Sequence, residues 1–272
     1  MKKWAISAVI YLLVVIGAYT LFSQLREDDG NDHQESAVQE TNRTDHGHED
    51  HHGEENEKGN ERQITANVSY ENNGLLVKLV DDKDQLFDDL EVNHEKLLHL
   101  IIVDEHLNQF HHVHPEKTNN GTFTLNMDLP EGSYKAFVDI KPKNASYHVE
   151  PIPFHIGGKV VDHHHQALQP DRTLTKKVDE YEVSLKMSAQ KASEPITLSF
   201  ELDEANLQPY LGAMGHIVIL NEDATEYIHV HPANDHEAIF ETQFSQAGTY
   251  KIWAEFKQNG VVRAFPFVVV IQ

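Results

Sequence analysis

Two stretches of the chain carry the same histidines at the same spacing. HLIIVDEHLNQFHHVHP runs from His99 to Pro115, and HIVILNEDATEYIHVHP from His216 to Pro232. His99, His112, His114 and Pro115 fall on His216, His229, His231 and Pro232 at a gapless offset of 117 residues. Neutral imidazole is a ligand for zinc, copper, nickel and iron. Three imidazoles on one ion with a fourth position open also describe a zinc site, catalytic or not. Met214 stands two residues before His216. On a continuing strand its thioether would share the histidine face, and a thioether selects copper, above all Cu(I). The first copy has Lys96-Leu97-Leu98 there and lacks that ligand. A lone strand histidine ordinarily bonds backbone or faces solvent, and a duplication copies structural histidines too. The whole pattern, twice, in a chain with 20 histidines, raises ligation above that reading.

The elements that must position these rings read as strands. Residues 216–232 form a hairpin about the polar turn Asn221–Glu226. That register pairs Leu220 with Tyr227, Val218 with His229, and His216 with His231. Opposed residues share a face, so the three histidines project from one side, with Cβ atoms about 5 Å apart across the pair and about 7–8 Å on the diagonal. Ile217, Ile219, Ile228 and Val230 form the core face behind them. The same arithmetic gathers His99, His112 and His114, with Leu100, Ile102 and Val113 behind. There His111 replaces the apolar Ile228. A one-residue slip would send His216 to the other face.

The repeat continues downstream. Glu131-Gly132-Ser133-Tyr134-Lys135 matches Ala247-Gly248-Thr249-Tyr250-Lys251, and Pro153-Phe154 matches Pro266-Phe267. Short alternating runs separated by Asn72-Asn73-Gly74, Asn119-Asn120-Gly121 and Pro130-Glu131-Gly132 indicate an all-β chain of two tandem β-sandwich domains. The expected organisation is a transmembrane signal-anchor over 1–24 and a disordered acidic, His-rich linker over 25–62. Sandwich repeat 1 covers 63–157, a second linker with His163-His164-His165 covers 158–178, and repeat 2 covers 179–272. Lys2-Lys3 before the apolar run Trp4–Phe22 places the bulk outside the cytoplasm.

Composition narrows the function. The 272 residues hold 22 Lys+Arg against 44 Asp+Glu, a formal net charge of -22. Such a chain repels nucleic-acid phosphates and anionic headgroups and attracts cations. The absence of cysteine removes disulfides, thiolate metal sites and cysteine nucleophiles. No nucleophile elbow, phosphate loop or His-Glu-x-x-His is present, so an enzyme is not expected.

The second copy resembles a known kind of exported bacterial domain. The carrying residues are Leu211-Gly212-Ala213-Met214-Gly215-His216, Tyr227-Ile228-His229-Val230-His231-Pro232 and Gly248-Thr249-Tyr250-Lys251-Ile252-Trp253. They resemble immunoglobulin-like or cupredoxin-like sandwiches of the YtkA, FixH and CopC kind, over about Tyr181–Gln272 and more loosely over Ile64–Ile156. The resemblance implies a sandwich outside the cytoplasm and a copper-related role. CopC-like proteins use a free N-terminal histidine on Cu(II), and this chain has none. Without cysteine, blue-copper electron transfer is excluded.

The resulting expectation is a membrane-anchored, extracytoplasmic transition-metal binding protein that buffers, sequesters or delivers copper, with zinc as the alternative ion. Its ligands are His216, His229, His231 and Met214, and His99, His112 and His114. Its partners are the metal ion and a membrane transporter or oxidase, with no nucleic acid. Binding is expected to weaken as pH falls through about 6.5, where free imidazole protonates. The rival readings are a cell-envelope interaction module with structural histidines and, third, a zinc-dependent hydrolase.

Overall fold

The computed structural model describes residues 62–158, 167–234 and 236–272. The expected anchor, the acidic arm and His163-His164-His165 lie outside these residues. No helix among the described residues is long and apolar enough to cross a membrane.

The described chain is built from strands and one 3-10 turn, Glu204–Asn206. The first half holds β1 (Arg62–Glu71), β2 (Gly74–Asp81), β3 (Leu90–Glu91), β4 (His99–Asp104), β5 (Phe110–Val113), β6 (Glu116–Asn119), β7 (Thr122–Asn126), β8 (Gly132–Asp139), β9 (Lys141–Pro142), β10 (Ala145–Ser146) and β11 (Ile152–Ile156). The second half holds β12 (Thr175–Val178), β13 (Tyr181–Met187), β14 (Pro195–Leu202), β15 (Leu207–Gln208), β16 (His216–Asn221), β17 (Tyr227–Pro232), β18 (Ile239–Gln243), β19 (Gly248–Gln258) and β20 (Val261–Ile271).

Each half is a two-sheet sandwich. In the first, β10-β1-β2-β7-β6 faces β11-β8-β4-β5, and β3-β9 is a separate ribbon. In the second, β12-β13-β14-β18 faces the strands β17, β16, β19 and β20. There β17 runs on to pair with β18 through His231↔Glu241 and Pro232↔Phe240, joining the two layers. In the first half β5 stops at Val113, and β6 takes up pairing with β7 beyond His114-Pro115. The His-Pro dipeptide therefore marks the corner where the chain passes between layers, a place sandwiches turn by bends and sheet-switching strands. Residues 175–178, assigned to the linker on sequence, form β12 and pair with β13.

Period-two burial explains the layers. Leu75, Val77 and Leu79 of β2 meet Leu100 and Ile102 of β4 in the first core. Leu198, Ile217, Ile219, Phe256 and Phe267 are part of the second. Each half also has a tyrosine whose hydroxyl donates to the carbonyl four residues back. These bonds are Tyr134 to Pro130 and Tyr250 to Gln246, both at 2.9 Å. This is the tyrosine corner that sandwiches use to fix a strand entry.

A third core lies between the halves. β4 and β16 are buried on both faces. Their even and odd positions go to different places: Ile102 and Ile217 to their own sandwich, Ile101 and Val218 to the other half. Ile101, Val103, Leu107 and Phe137 meet Val218, Leu220, Ala224 and Trp253. The described residues accordingly belong to one compact unit.

Candidate metal centre

The face that each sandwich turns to its partner has three rows. In the first copy β4 sits between β5 and β8. His99 lies beside Asp139, Ile101 beside Phe137 and His112, and Val103 beside Lys135 and Phe110. In the second copy His216 lies beside Glu255, Val218 beside Trp253 and His229, and Leu220 beside Lys251 and Tyr227. The two faces are related as the halves of a two-fold dimer are, so the main contacts are made twice. Phe110 stacks on Trp253 at 4.7 Å, and Tyr227 on Phe137 at 5.5 Å. Lys251 donates to the Leu107 carbonyl at 2.6 Å, and Lys135 to the Asp223 carbonyl at 2.5 Å.

The row of histidines follows the same exchange. Glu255 sits next to His216 in its own sheet, but its carboxylate accepts from His112 Nδ1 of the other half at 2.5 Å. Asp139 sits next to His99, and its carboxylate accepts from His229 Nδ1. The hydroxyl of Tyr227 donates to the same oxygen of Asp139 at 3.1 Å. Burial acts to raise the Asp139 carboxyl, but the bond from His229 and its charge outweigh this and hold it below the usual carboxylate range.

These outer partners set the ring tautomers. His99 donates from Nε2 to the Asn93 carbonyl at 2.9 Å, which leaves the lone pair on Nδ1. His112 donates from Nδ1 to Glu255, which leaves the lone pair on Nε2. Those two atoms, His99 Nδ1 and His112 Nε2, face each other at 2.9 Å. His114 Nε2 lies 3.1 Å from the same His99 Nδ1. Two lone pairs in contact repel unless a cation lies between them.

Burial disfavours a proton on two of the three rings. Burial pushes His99 down to about 4; the Asn93 carbonyl opposes it and the neighbouring His112 adds to it. Burial, then the charges of His112 and His99, push His114 down to about 3. Burial thus keeps these two rings neutral below the free-imidazole range.

The geometry fits a metal ion. The ligand atoms of His99, His112 and His114 lie within 4.8 Å of one another. Their ring centres are 5.2, 4.8 and 4.9 Å apart. Three imidazoles on one tetrahedral ion, with bonds of about 2.0–2.1 Å, place ring centres about 5 Å apart. The carboxylate behind His112 and the carbonyl behind His99 are the outer partners that ligating histidines use.

The second copy repeats the plan with a different filling. The sequence-expected pairs Val218↔His229 and Leu220↔Tyr227 are present. His216 is buried, and burial pushes it down to about 3, with His112 and His94 adding to it. His216 donates from Nε2 to the Tyr210 carbonyl at 3.0 Å, as His99 does to Asn93. His231 holds its strand position opposite Glu241. Met214 lies in a bend before β16, which begins at His216, so the alternation that aimed its thioether at the histidines does not reach it.

Sequence reasoning missed Asp139, Glu255 and His94. The carboxylates had a signal: the downstream repeat aligns Asp139 with Glu255, each an acid directly after an apolar triplet, Ala136-Phe137-Val138 or Ile252-Trp253-Ala254. The apolar residues between the histidines, Ile101 and Val103, or Val218 and Leu220, also announced a second buried face. His94 has no repeat partner, since Leu211 stands at its equivalent position.

Solved structures similar to the chain are runs of sandwich domains. The FN1-FN3 domains of chicken CNTN1 match at 10% identity and a TM-score of 0.23, covering 76% of this chain and 63% of that one. The Escherichia coli adhesin FdeC matches at 13% identity and a TM-score of 0.23, covering 78% and 65%. A two-domain fibronectin type III segment of chicken tenascin matches at 9% identity and a TM-score of 0.24, covering 78% and 98%. The chain thus spans less than two thirds of the first two. No curated protein matches the chain. A family match covers residues 46–156 and 176–272, more than half of the chain and both sandwiches, and the chain belongs to that family, described as "Domain of unknown function (DUF8832)".

Proposed function

We propose that the protein binds a transition-metal ion on His99 Nδ1, His112 Nε2 and His114 Nε2. The carrying observation is the 2.9 Å approach of two imidazole nitrogens whose other nitrogens already donate to Asn93 and Glu255. An all-imidazole set suits Cu(II) and Zn(II), and the divalent affinity order favours copper. The role is buffering, sequestration or delivery rather than catalysis, carried out beyond the membrane with Trp4–Phe22 as anchor. The acidic, His-rich arm raises the local cation concentration, and a membrane transporter or oxidase is the recipient.

A second reading is favoured by the reciprocal His112–Glu255 and His229–Asp139 bonds. On that reading the histidines tie the two sandwiches together and the protein is an envelope interaction module.

Competition titration of the full chain with Cu(II), Cu(I) and Zn(II) decides between them, with a chelator strong enough to strip the arm. The metal reading expects one tight site that disappears in the His99→Ala, His112→Ala, His114→Ala variant. A folded wild-type chain that yields every ion to the chelator returns the histidines to a structural role.

A further inference from the structure

The first histidine set is closed over by the other half of the molecule. His99 is 0% exposed, and the side chain of His112 is 2% exposed. Rings of the second sandwich lie against both. His216 stands 5.9 Å from His112 and 6.3 Å from His99, centre to centre, and His229 stands 6.2 Å from His99. His94 of the first half stacks on His229 at 4.8 Å and meets His216 edge-on at 5.3 Å. We propose that the second sandwich is a lid on this site. Docking of the halves and tight binding of the ion are then one coupled equilibrium, and parting the halves releases the ion. This rests on the reading of His99, His112 and His114 as a metal site.

The lid reaches the ligands through Glu255. Its carboxylate comes from the second half and accepts the Nδ1 proton of His112 at 2.5 Å. An ion on Nε2 draws charge from the ring and makes Nδ1 a stronger donor, so ligation tightens this bond between the halves. By linkage, docking tightens binding of the ion to the same degree. The Asn93 carbonyl behind His99 belongs to the first half and stays when the halves part. Opening therefore keeps all three imidazoles and one outer partner, and removes the other. The ion is held less tightly and stands uncovered, as delivery to a recipient requires.

The fold allows the lid to move as a body. Leu100 and Ile102 belong to the core of the first sandwich, and Ile217 and Ile219 to the core of the second. The contacts between the halves form a separate core. Its second-half members, Val218, Leu220, Ala224 and Trp253, lie outside the second sandwich's own interior. A polar change among them weakens docking while each sandwich keeps the packing that folds it.

The test is Cu(II) competition on the full chain with the stripping chelator, in variants that part the halves without touching a ligand. Leu220→Glu puts a charge into the shared core from the second half. Leu107→Asp does so from the first. Leu107 sits at φ 57°, a backbone that Asp tolerates, so this variant guards against a misfolded strand. Each should bind Cu(II) about 10–100-fold more weakly, the loss that follows removal of an outer partner. Neither should weaken binding further in a Glu255→Gln background, because the lid acts through that carboxylate. Docking is read separately from the emission of Trp253, buried and stacked on Phe110, with Trp4→Phe leaving it the sole tryptophan. The emission should move to the red in both variants, and Zn(II) should move it back. Wild-type affinity in variants whose emission has moved overturns the lid and leaves the metal site. A loss that adds in full to that of Glu255→Gln overturns it too, as does emission unchanged in both variants. No tight ion in the wild type removes the metal reading and the lid with it.

Discussion

At the residue scale, the carboxylates are the strongest levers. Glu255→Gln keeps the shape but removes the charge that holds His112 in its ligating tautomer. It should weaken metal affinity about 10–100-fold. It should also destabilise the metal-free chain by about 1–3 kcal/mol, because His112 keeps a buried donor with a poorer acceptor. Isothermal titration and urea unfolding read the two effects separately. The buried rings dictate a pH dependence of their own. His99 sits at about 4 and His216 at about 3 when folded, against about 6.5 when unfolded. Below pH 6.5 the unfolded chain takes up protons that the folded chain refuses, so stability falls as pH drops from about 6.5 towards 4. The loss should be on the order of 1 kcal/mol per buried histidine at pH 5. Urea midpoints of metal-free protein at pH 7.5 and pH 5 measure it, and equal midpoints would contradict the burial. The repeated histidines were legible because spacing is visible in a linear chain. Asp139, Glu255 and His94 were not, because each acts on residues of the other half.

At the element scale, the hairpin register was readable from two local facts. The polar stretch Asn221–Glu226 locates the turn, and the alternation of Ile217, Ile219, Ile228 and Val230 locates the core face. The structure has that register from Ile217↔Val230 to Leu220↔Tyr227, and His231 pairs onward with Glu241 of β18. Gly215 shows how little slack the elements leave beside the site. A Cβ there would lie 2.6 Å from Phe256 Cε1 and 2.9 Å from the Glu255 carbonyl oxygen. Gly215→Ala should therefore cost about 1–3 kcal/mol by overpacking. It should also shift β16 against β19, which moves His216 relative to Glu255. Chemical denaturation gives the first quantity, and the histidine ring resonances report the second. Wild-type stability in this variant would mean that β16 and β19 part more easily than their packing implies. What the hairpin alone did not reveal is that β4 and β16 have no solvent face. Ile101 and Val218 could be read as exposed members of the histidine face until a second sheet was laid on them.

At the scale of the whole molecule, the two sandwiches behave as one unit. Their shared core is small, and Trp253 is its largest member, buried and stacked on Phe110. Trp253→Ala should cost about 3–5 kcal/mol, as aromatic deletions from packed cores do. Because the lost contacts are shared by both halves, the single unfolding transition should split in two. Calorimetry checks this, and a single transition at unchanged enthalpy would show that the interface does not couple the halves. The amino-acid sequence alone determined the strand pattern, the duplication and the gathering of His99, His112 and His114. All of these follow from spacing and alternation within about twenty residues. The tertiary structure alone decided that the two histidine faces meet. It also decided that each carboxylate serves the ring opposite rather than the ring beside it, and that burial disfavours a proton on His99, His114 and His216. Those outcomes depend on two sheets coming together across more than a hundred residues of chain, and no local period encodes that distance.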